Sequence, residues 1–164
     1  MKNYVLDLSC LDSNSSGAKQ RILSIYTNLV SLNKNIIFTL ITTDINEFKK
    51  YFIFDNVIFK KNPFKQSNYF NKIISVFYVY CYLTFNKKKY HVVEHFTLPF
   101  IRIKNATNII TIHDLRKIYF SNFFIFKSII KLIYKIFFIS ADKILVVSKT
   151  AKKELKSYFK KKKI

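Results

Sequence analysis

Polar residues that could do chemistry follow several apolar runs of this chain, each at the point where the run ends. These residues are Glu94 and His95, His113 and Asp114, and Ser148 and Lys149. A Ser-rich stretch and Gly17, the only glycine, follow the first run in the same way. The carboxyl ends of parallel strands meet at one edge of a sheet, where such sheets bind ligands. The spacing therefore predicts a functional cleft at that edge.

Gly17 stands between a strand-like run and a helical pattern. A glycine at such a turn lets the backbone approach a ligand and tolerates positive φ. The free amides of the following helix favour an anionic group. One glycine is too few for a dinucleotide fingerprint or a P-loop, so both of those sites are excluded. The alternative is a loop glycine without a ligand, and the turn alone does not decide between the two.

His91, Glu94 and His95 match the H-x-x-E-H pattern of inverted zinc proteases. That chemistry needs both histidines one helical turn apart on one face of a helix. The paired valines between them predict a strand instead. On a strand the two histidines lie about 13 Å apart, at ~3.3 Å per residue, which is too far to share a metal. We predict no metal site here, and no other cluster has the spacing of metal ligands or of a catalytic triad.

Strand-like and helical patterns alternate along the chain. The strand-like runs are Tyr4–Cys10, Asn35–Thr43, Asn56–Lys60, His91–Phe96, Asn108–His113 and Lys143–Val147. The helical patterns are Lys19–Leu32, Asn68–Thr84, Asn122–Ser140 and Lys149–Phe159, with shorter segments at Ile45–Tyr51 and Leu98–Ile103. This alternation predicts an α/β fold with a doubly wound, mostly parallel, Rossmann-like sheet. We expect one domain over residues 1–159 and a basic tail over residues 160–164, and we expect Ser148 to cap the last helix.

The composition is strongly basic, with a formal net charge of +20. The abundant Lys, Asn, Ile, Phe and Tyr all have AT-rich codons, so an AT-rich genome, and not function alone, accounts for part of this charge. Lysine far outnumbers arginine. This ratio argues against nucleic-acid recognition, for which planar arginine is preferred. Such a surface still attracts anionic lipid or polyphosphate.

Two further features bear on location. The segment Phe123–Ile139 is apolar, but a lysine at every fourth residue forms a stripe that a membrane-spanning helix does not tolerate. It predicts either a buried helix with a lysine edge or a helix lying on a membrane surface. The chain starts without a secretory signal, so Cys10 and Cys81 are expected to be reduced thiols in a cytoplasmic protein.

Four segments, in order, resemble the amino-terminal domain of family 4 glycosyltransferases, which have the two-domain GT-B fold. The segments are Ser16–Arg21, Tyr90–Pro99, Asn108–Leu115 and Ala141–Lys149. They are similar, respectively, to the glycine loop, to a strand that ends in a histidine before a proline, to the "TIHDL" strand and to the "AD-x-hydrophobic-x-VS" strand. Their order and spacing fit the family over the whole chain.

The resemblance implies transfer of a sugar from a nucleotide-sugar to a polysaccharide or lipid-linked glycan, with retention and without a metal or other cofactor. His113 then matches the catalytic-site histidine that hydrogen-bonds the donor sugar, and Gly17 matches the loop near the donor phosphates or the acceptor. The further substrate-binding candidates are Lys19, Arg21, His95 and Asp114. Alternatives stay open for three of them: Arg21 as a helix-surface charge, His95 as a capping histidine and Asp114 as a brace of its loop.

The chain departs from the family in two respects. Ser16 stands where the family has a second glycine. No glycine follows Gly17 and no acidic residue follows Glu154, whereas the carboxy-terminal GT-B domain holds the nucleotide-sugar with a glycine-rich loop and a glutamate pair. We therefore expect a truncated or split enzyme, inactive without a missing domain or partner chain, because catalysis needs preorganised groups from both halves.

The sequence thus predicts the acceptor-side domain of a glycosyltransferase, cytoplasmic and held at the inner face of an anionic membrane. The alternative is a non-catalytic binding or regulatory α/β module. A third class, nonspecific nucleic-acid binding through charge, is disfavoured because arginine is scarce and no nucleic-acid-binding motif occurs. The donor sugar, the nucleotide and the acceptor are not specified by the sequence.

Overall fold

Six strands form one parallel sheet. The computed structural model describes residues 1–11, 16–65, 68–96, 99–112, 132 and 134–158. The strands are β1 (Lys2–Asp7), β2 (Ile36–Thr42), β3 (Val57–Lys61), β4 (Val92–His95), β5 (Thr107–Ile112) and β6 (Lys143–Val146). Their spatial order is β3-β2-β1-β4-β5-β6, and every neighbouring pair is parallel. The predicted fold class, a doubly wound Rossmann-like α/β sheet, is confirmed.

The helices lie between these strands, as the alternation predicts. They are α1 (Ser16–Leu32), α2 (Ile45–Lys49), α3 (Tyr69–Phe85), α4 (residues 134–140) and α5 (Lys149–Tyr158). Side chains cap the amino ends of three of them: Asp44 accepts a hydrogen bond from Glu47 N, Asn68 from Asn71 N and Ser148 from Ala151 N. The predicted cap at Ser148 is therefore confirmed.

The short helical segment predicted at Leu98–Ile103 is absent from its described part, because residues 99–103 are irregular. The buried side chain of Asn108 holds this segment in place. Its Oδ1 accepts a hydrogen bond from Ile103 N at 2.8 Å, and its Nδ2 donates to Ile103 O at 2.9 Å. These bonds satisfy backbone groups that a helix would otherwise have paired.

Helices cover both faces of the sheet. On one face α1 and α2 bury an apolar cluster that includes Leu6, Ile22, Tyr26, Phe38, Leu40 and Phe48. On the other face, α3 packs through Val79 and Leu83 against Val5 and Val93. A separate cluster joins Phe138 of α4 and Leu155 of α5 to β5 and β6. The helices change faces between β1 and β4, which makes this the switch point of the sheet.

Helix α3 is apolar on its outer side as well as on its inner side. Phe70, Phe77 and Phe85 are 70%, 58% and 79% exposed. No helix within the described ranges is both long enough and apolar enough to cross a bilayer. Among the described residues, neither Cys10 nor Cys81 forms a disulfide.

Candidate functional site

Asp7 and His95 meet at the carboxyl edge of the sheet. They are register partners on β1 and β4, the two strands at the switch point. Both side chains are about 3% exposed, and His95 Nδ1 lies 3.4 Å from Asp7 Oδ2. The structure therefore pairs a predicted site residue with an acid that the sequence analysis did not single out.

Asp7 is held by more than the histidine. Its Oδ1 accepts a hydrogen bond from Ser9 N at 3.2 Å, so both carboxylate oxygens are engaged. The hydroxyl of Ser9 in turn accepts from Asn62 Nδ2 at 3.0 Å. Asn62, which follows β3 and is fully buried, also reaches the hydroxyl of Ser75 in α3 at 2.9 Å. A continuous hydrogen-bond chain thus fixes the loop after β1 to the elements around it.

The second ring nitrogen of His95 has no hydrogen-bond partner among the described residues. The imidazole lies 4.9 Å from the ring of Phe100, centroid to centroid. Its Nε2 is buried and makes no hydrogen bond to any residue of the described part of the chain. A buried polar atom without a partner costs about 1–3 kcal/mol, so it needs an explanation. Among the described residues, this nitrogen is the clearest point at which the edge could receive a polar ligand group.

Glu94, the neighbour of His95, does not join this site. Successive strand residues point to opposite faces of a sheet, so Glu94 faces α1 while His95 faces α3. Glu94 is fully buried and its carboxylate accepts hydrogen bonds from the hydroxyls of Tyr4, Tyr26 and Thr111. Burial, and then the Glu94 charge, raise the pKa of Tyr4 and of Tyr26 well above the usual tyrosine value. The expected convergence of Glu94 and His95 in one cleft is therefore wrong.

Lys19 and Arg21 occupy different sides of α1. Lys19 lies on the inward stripe of the helix, only 7% exposed, and its Nζ forms an ion pair with Glu47 of α2. The same ammonium lies 5.7 Å from the ring centroid of Phe48. Arg21, two residues further on, is exposed. The fold thus supplies a partner for the Lys19 charge, and the substrate roles of both residues stay predictions.

Of the remaining predicted site residues, the structure describes the backbone of Gly17 alone. Helix α1 begins at Ser16, so Gly17 belongs to its first turn instead of the preceding loop. His113 and Asp114, which follow Ile112 at the end of β5, lie outside the described residues. Their roles, like that of Gly17, stay predictions.

His91 has a structural partner at the start of β4. Its Nδ1 accepts a hydrogen bond from Asn3 N at 3.1 Å. Because Val92–His95 is a strand, the H-x-x-E-H pattern does not lie on a helix, as predicted. In the part of the chain that the structure describes, no group of three or more His, Cys, Asp or Glu side chains could hold a metal ion.

A cavity lies at the opposite, amino-terminal edge of the sheet. It has a volume of about 430 Å³ and is bounded by the end of α3 and by the segments before β4 and β5. Its lining includes Lys87, Lys88, Lys89, Lys104 and Tyr90. None of the predicted site residues that the structure describes lines this cavity, so its lysines are separate from the Asp7–His95 edge.

The fold and this edge define a class: a doubly wound α/β domain with a candidate ligand site at the switch point between β1 and β4. Comparison with known proteins adds no relative, since no family model matches the chain and a search of curated proteins finds no match.

Proposed function

We propose that this chain is the acceptor-side domain of a glycosyltransferase that moves a sugar from a nucleotide-sugar to a polysaccharide or lipid-linked glycan. The observation that carries the proposal is the Asp7–His95 pair at the switch point of the sheet. Sheets of this order bind their ligands at that edge. The pair also stands at the end of the strand whose sequence resembles the histidine strand of family 4 glycosyltransferases.

The chemistry of the edge suits a sugar. A glycan presents many hydroxyls, and each can donate to and accept from the short polar side chains found here. His95 Nε2 is buried and has no partner in the described part of the chain, while Asp7 and Ser9 are fixed by hydrogen bonds to their neighbours. A site whose polar groups are already held in place loses little entropy when it binds.

The remaining roles follow the resemblance. In this proposal His113 hydrogen-bonds the donor sugar, Asp114 braces the loop after β5, and Gly17 approaches the donor phosphates or the acceptor. The resemblance assigns Lys19 and Arg21 a role in binding an acceptor phosphate; of the two, Arg21 is exposed, whereas Lys19 already pairs with Glu47. A second, donor-binding half holds the nucleotide-sugar, which is a co-substrate; the proposal requires no metal or other cofactor.

The proposed place of action is the inner, cytoplasmic face of an anionic membrane, where lipid-linked glycans are accessible. Two observations support it. Phe77 and Phe85 are exposed on α3, and the exposed lysines Lys87, Lys88 and Lys89 follow the end of the same helix. Apolar side chains next to lysines suit binding at a bilayer interface.

Glycan binding by the chain itself tests the proposal. An array of polysaccharides and free oligosaccharides identifies a ligand, whose affinity is then measured by calorimetry. Replacing His95 by glutamine (His95→Gln) is expected to weaken binding about tenfold or more, because the flexible amide no longer holds an acceptor at the position of the ring Nε2. His91→Gln is the matched control: it changes a histidine directly before β4, away from the carboxyl edge, and should leave the affinity unchanged.

Equal affinities for wild type and His95→Gln would contradict the proposed site. Failure of every glycan to bind would contradict the proposed function. Glycan binding without any sugar transfer, after the chain is mixed with donor-binding halves and nucleotide-sugars, would assign the alternative function of a non-catalytic binding module.

A further inference from the structure

We propose that Asp7 is a positioning residue, which fixes the His95 imidazole so that Nε2 accepts a hydrogen bond from a ligand hydroxyl. The class of ligand, a glycan, rests on the proposed function. The coupling of Asp7 to His95 depends on this chain alone and can be measured without any ligand.

The first step concerns the proton on the ring. An ionised carboxylate only accepts hydrogen bonds, so Nδ1, which faces Asp7 Oδ2 at 3.4 Å, is the nitrogen that carries the proton. In a neutral imidazole Nε2 then has a free lone pair. The Nδ1–Oδ2 separation is longer than the usual range of about 2.7–3.2 Å. We expect this separation to shorten when a ligand hydroxyl engages Nε2.

The second step concerns the rigidity of the pair. Asp7 cannot turn away freely, because its Oδ1 already accepts from Ser9 N at 3.2 Å. The register of β1 against β4 sets the separation of the two backbones. On the other side, the His95 ring lies against the ring of Phe100 at 4.9 Å, with 34° between their planes. The imidazole is therefore constrained on both sides, and its orientation depends on the carboxylate.

The third step concerns the group that Nε2 can receive. The atom is buried and makes no hydrogen bond within the described ranges. With the proton on Nδ1, it is an acceptor and needs a donor. An ionised carboxylate or a fully ionised phosphate has no proton to give, whereas a sugar hydroxyl does. The pair thus selects a hydroxyl donor over an anion.

The experiment is long-range ¹H–¹⁵N NMR of the three histidines at a pH where the rings are neutral. The variants His91→Gln and His113→Gln assign the signals. Wild-type His95 is expected to show the Nδ1–H tautomer. In Asp7→Asn the side-chain amide can donate to Nδ1, so the tautomer is expected to shift toward Nε2–H, and glycan affinity should fall about tenfold. Asp44→Asn is the control: it keeps a capping side chain at α2 and should leave the His95 signals unchanged.

An Nε2–H tautomer in the wild-type chain, or an unchanged tautomer in Asp7→Asn, would overturn the proposal. The wild-type measurement decides even if Asp7→Asn fails to fold. A shifted tautomer with unchanged glycan affinity would show that the Asp7–His95 pair has only a structural role, which contradicts a role in ligand binding. If no glycan binds at all, the ligand part fails together with the proposed function, but the tautomer still decides whether Asp7 positions His95.

Discussion

Two buried acids on neighbouring strands have different surroundings in this molecule. Asp7 uses one oxygen for a backbone amide and the other for the ring of His95. Glu94 accepts from three hydroxyls, and it does so on the opposite face of the sheet, in the core under α1. The arrangement at Asp7 leaves a ring nitrogen of His95 available to a ligand. The arrangement at Glu94 is closed, meaning that its buried carboxylate is bonded to side chains of the protein itself. Because successive residues of β4 point to opposite faces of the sheet, His95 meets Asp7 on one face while Glu94 lies on the other.

The closed arrangement predicts the effect of removing one donor. Tyr26→Phe leaves Glu94 buried with one hydroxyl fewer, so the free energy of unfolding should fall by about 1–3 kcal/mol. Urea denaturation followed by circular dichroism measures this change. Tyr51→Phe is the control, since that side chain is 47% exposed and should change stability little. A Tyr26→Phe chain as stable as wild type would show that the network contributes nothing.

The same tyrosines give this prediction a pH dependence. Burial, together with the Glu94 charge, raises the pKa of Tyr4 and Tyr26 in the folded chain. Above about pH 10 an unfolded tyrosine loses its proton while these two keep theirs. The unfolded state then binds fewer protons, so the free energy of unfolding falls as pH rises, by up to about 1.4 kcal/mol per pH unit for each tyrosine. A double Tyr4→Phe, Tyr26→Phe variant should show a shallower slope between pH 10 and 11; an identical slope would contradict this assignment.

Helix α1 shows how the period of a helix decides the surroundings of a charge. Lys19 is three residues before Ile22 and seven before Tyr26, so it falls on the buried stripe of the helix. Its ammonium can remain there because Glu47 of the short helix α2 lies opposite. The ion pair therefore couples two helices on the same face of the sheet.

Removing each partner of this pair should have unequal effects. Glu47→Gln leaves a nearly buried ammonium without its counter-charge and should lower the free energy of unfolding by about 1–3 kcal/mol. Lys19→Met replaces the ammonium by an apolar chain of similar length and leaves Glu47 partly in water, so its cost should be smaller. Chemical denaturation of both variants measures the difference. If Lys19→Met instead abolished binding of a phosphate-bearing acceptor at unchanged stability, Lys19 would be a ligand residue, as the resemblance implies.

The elements were predictable from the sequence, but the pair at the edge was not. Short apolar runs and helical periods reflect local burial, so the type and order of the described strands and longer helices follow from the pattern. Asp7 and His95 are 88 positions apart and meet only because β4 pairs with β1. Strand pairing depends on packing over the whole sheet. The opposite facing of Glu94 and His95, in contrast, was available from alternation alone. The irregular segment 99–103 is bonded at Ile103 to the side chain of Asn108, a contact that the local helical pattern does not contain.

At the scale of the whole molecule, the two ends of the sheet differ in chemistry. The carboxyl edge holds Asp7 and His95, both nearly buried. The amino edge holds the cavity of about 430 Å³ with its lining lysines. The net charge of +20 attracts anions to the whole surface. At the end of α3, however, three exposed lysines follow a helix that exposes Phe77 and Phe85, and these apolar side chains add to membrane binding at that place. An anionic surface and a glycan could therefore be bound at separate edges.

Binding to lipid vesicles separates a local surface from net charge. We compare a variant with Lys87, Lys88 and Lys89 changed to glutamine with one in which the exposed Lys152, Lys153 and Lys156 of α5 are changed. Both lose three charges. If the end of α3 is the contact surface, the α3 variant should bind anionic vesicles on the order of a hundredfold more weakly in flotation, at about 1 kcal/mol per lysine. The α5 variant should lose far less affinity.

Two controls complete the vesicle experiment. Neutral vesicles should bind the wild-type chain weakly, and added salt should reduce binding to the anionic ones, because exposed charges are screened. Equal losses in the two lysine variants would assign the attraction to net charge alone. A wild-type chain that shows no preference for anionic over neutral lipid would overturn the proposed membrane location. The ligand site at the opposite edge does not depend on this result, because the glycan affinity of the His95→Gln variant tests it separately.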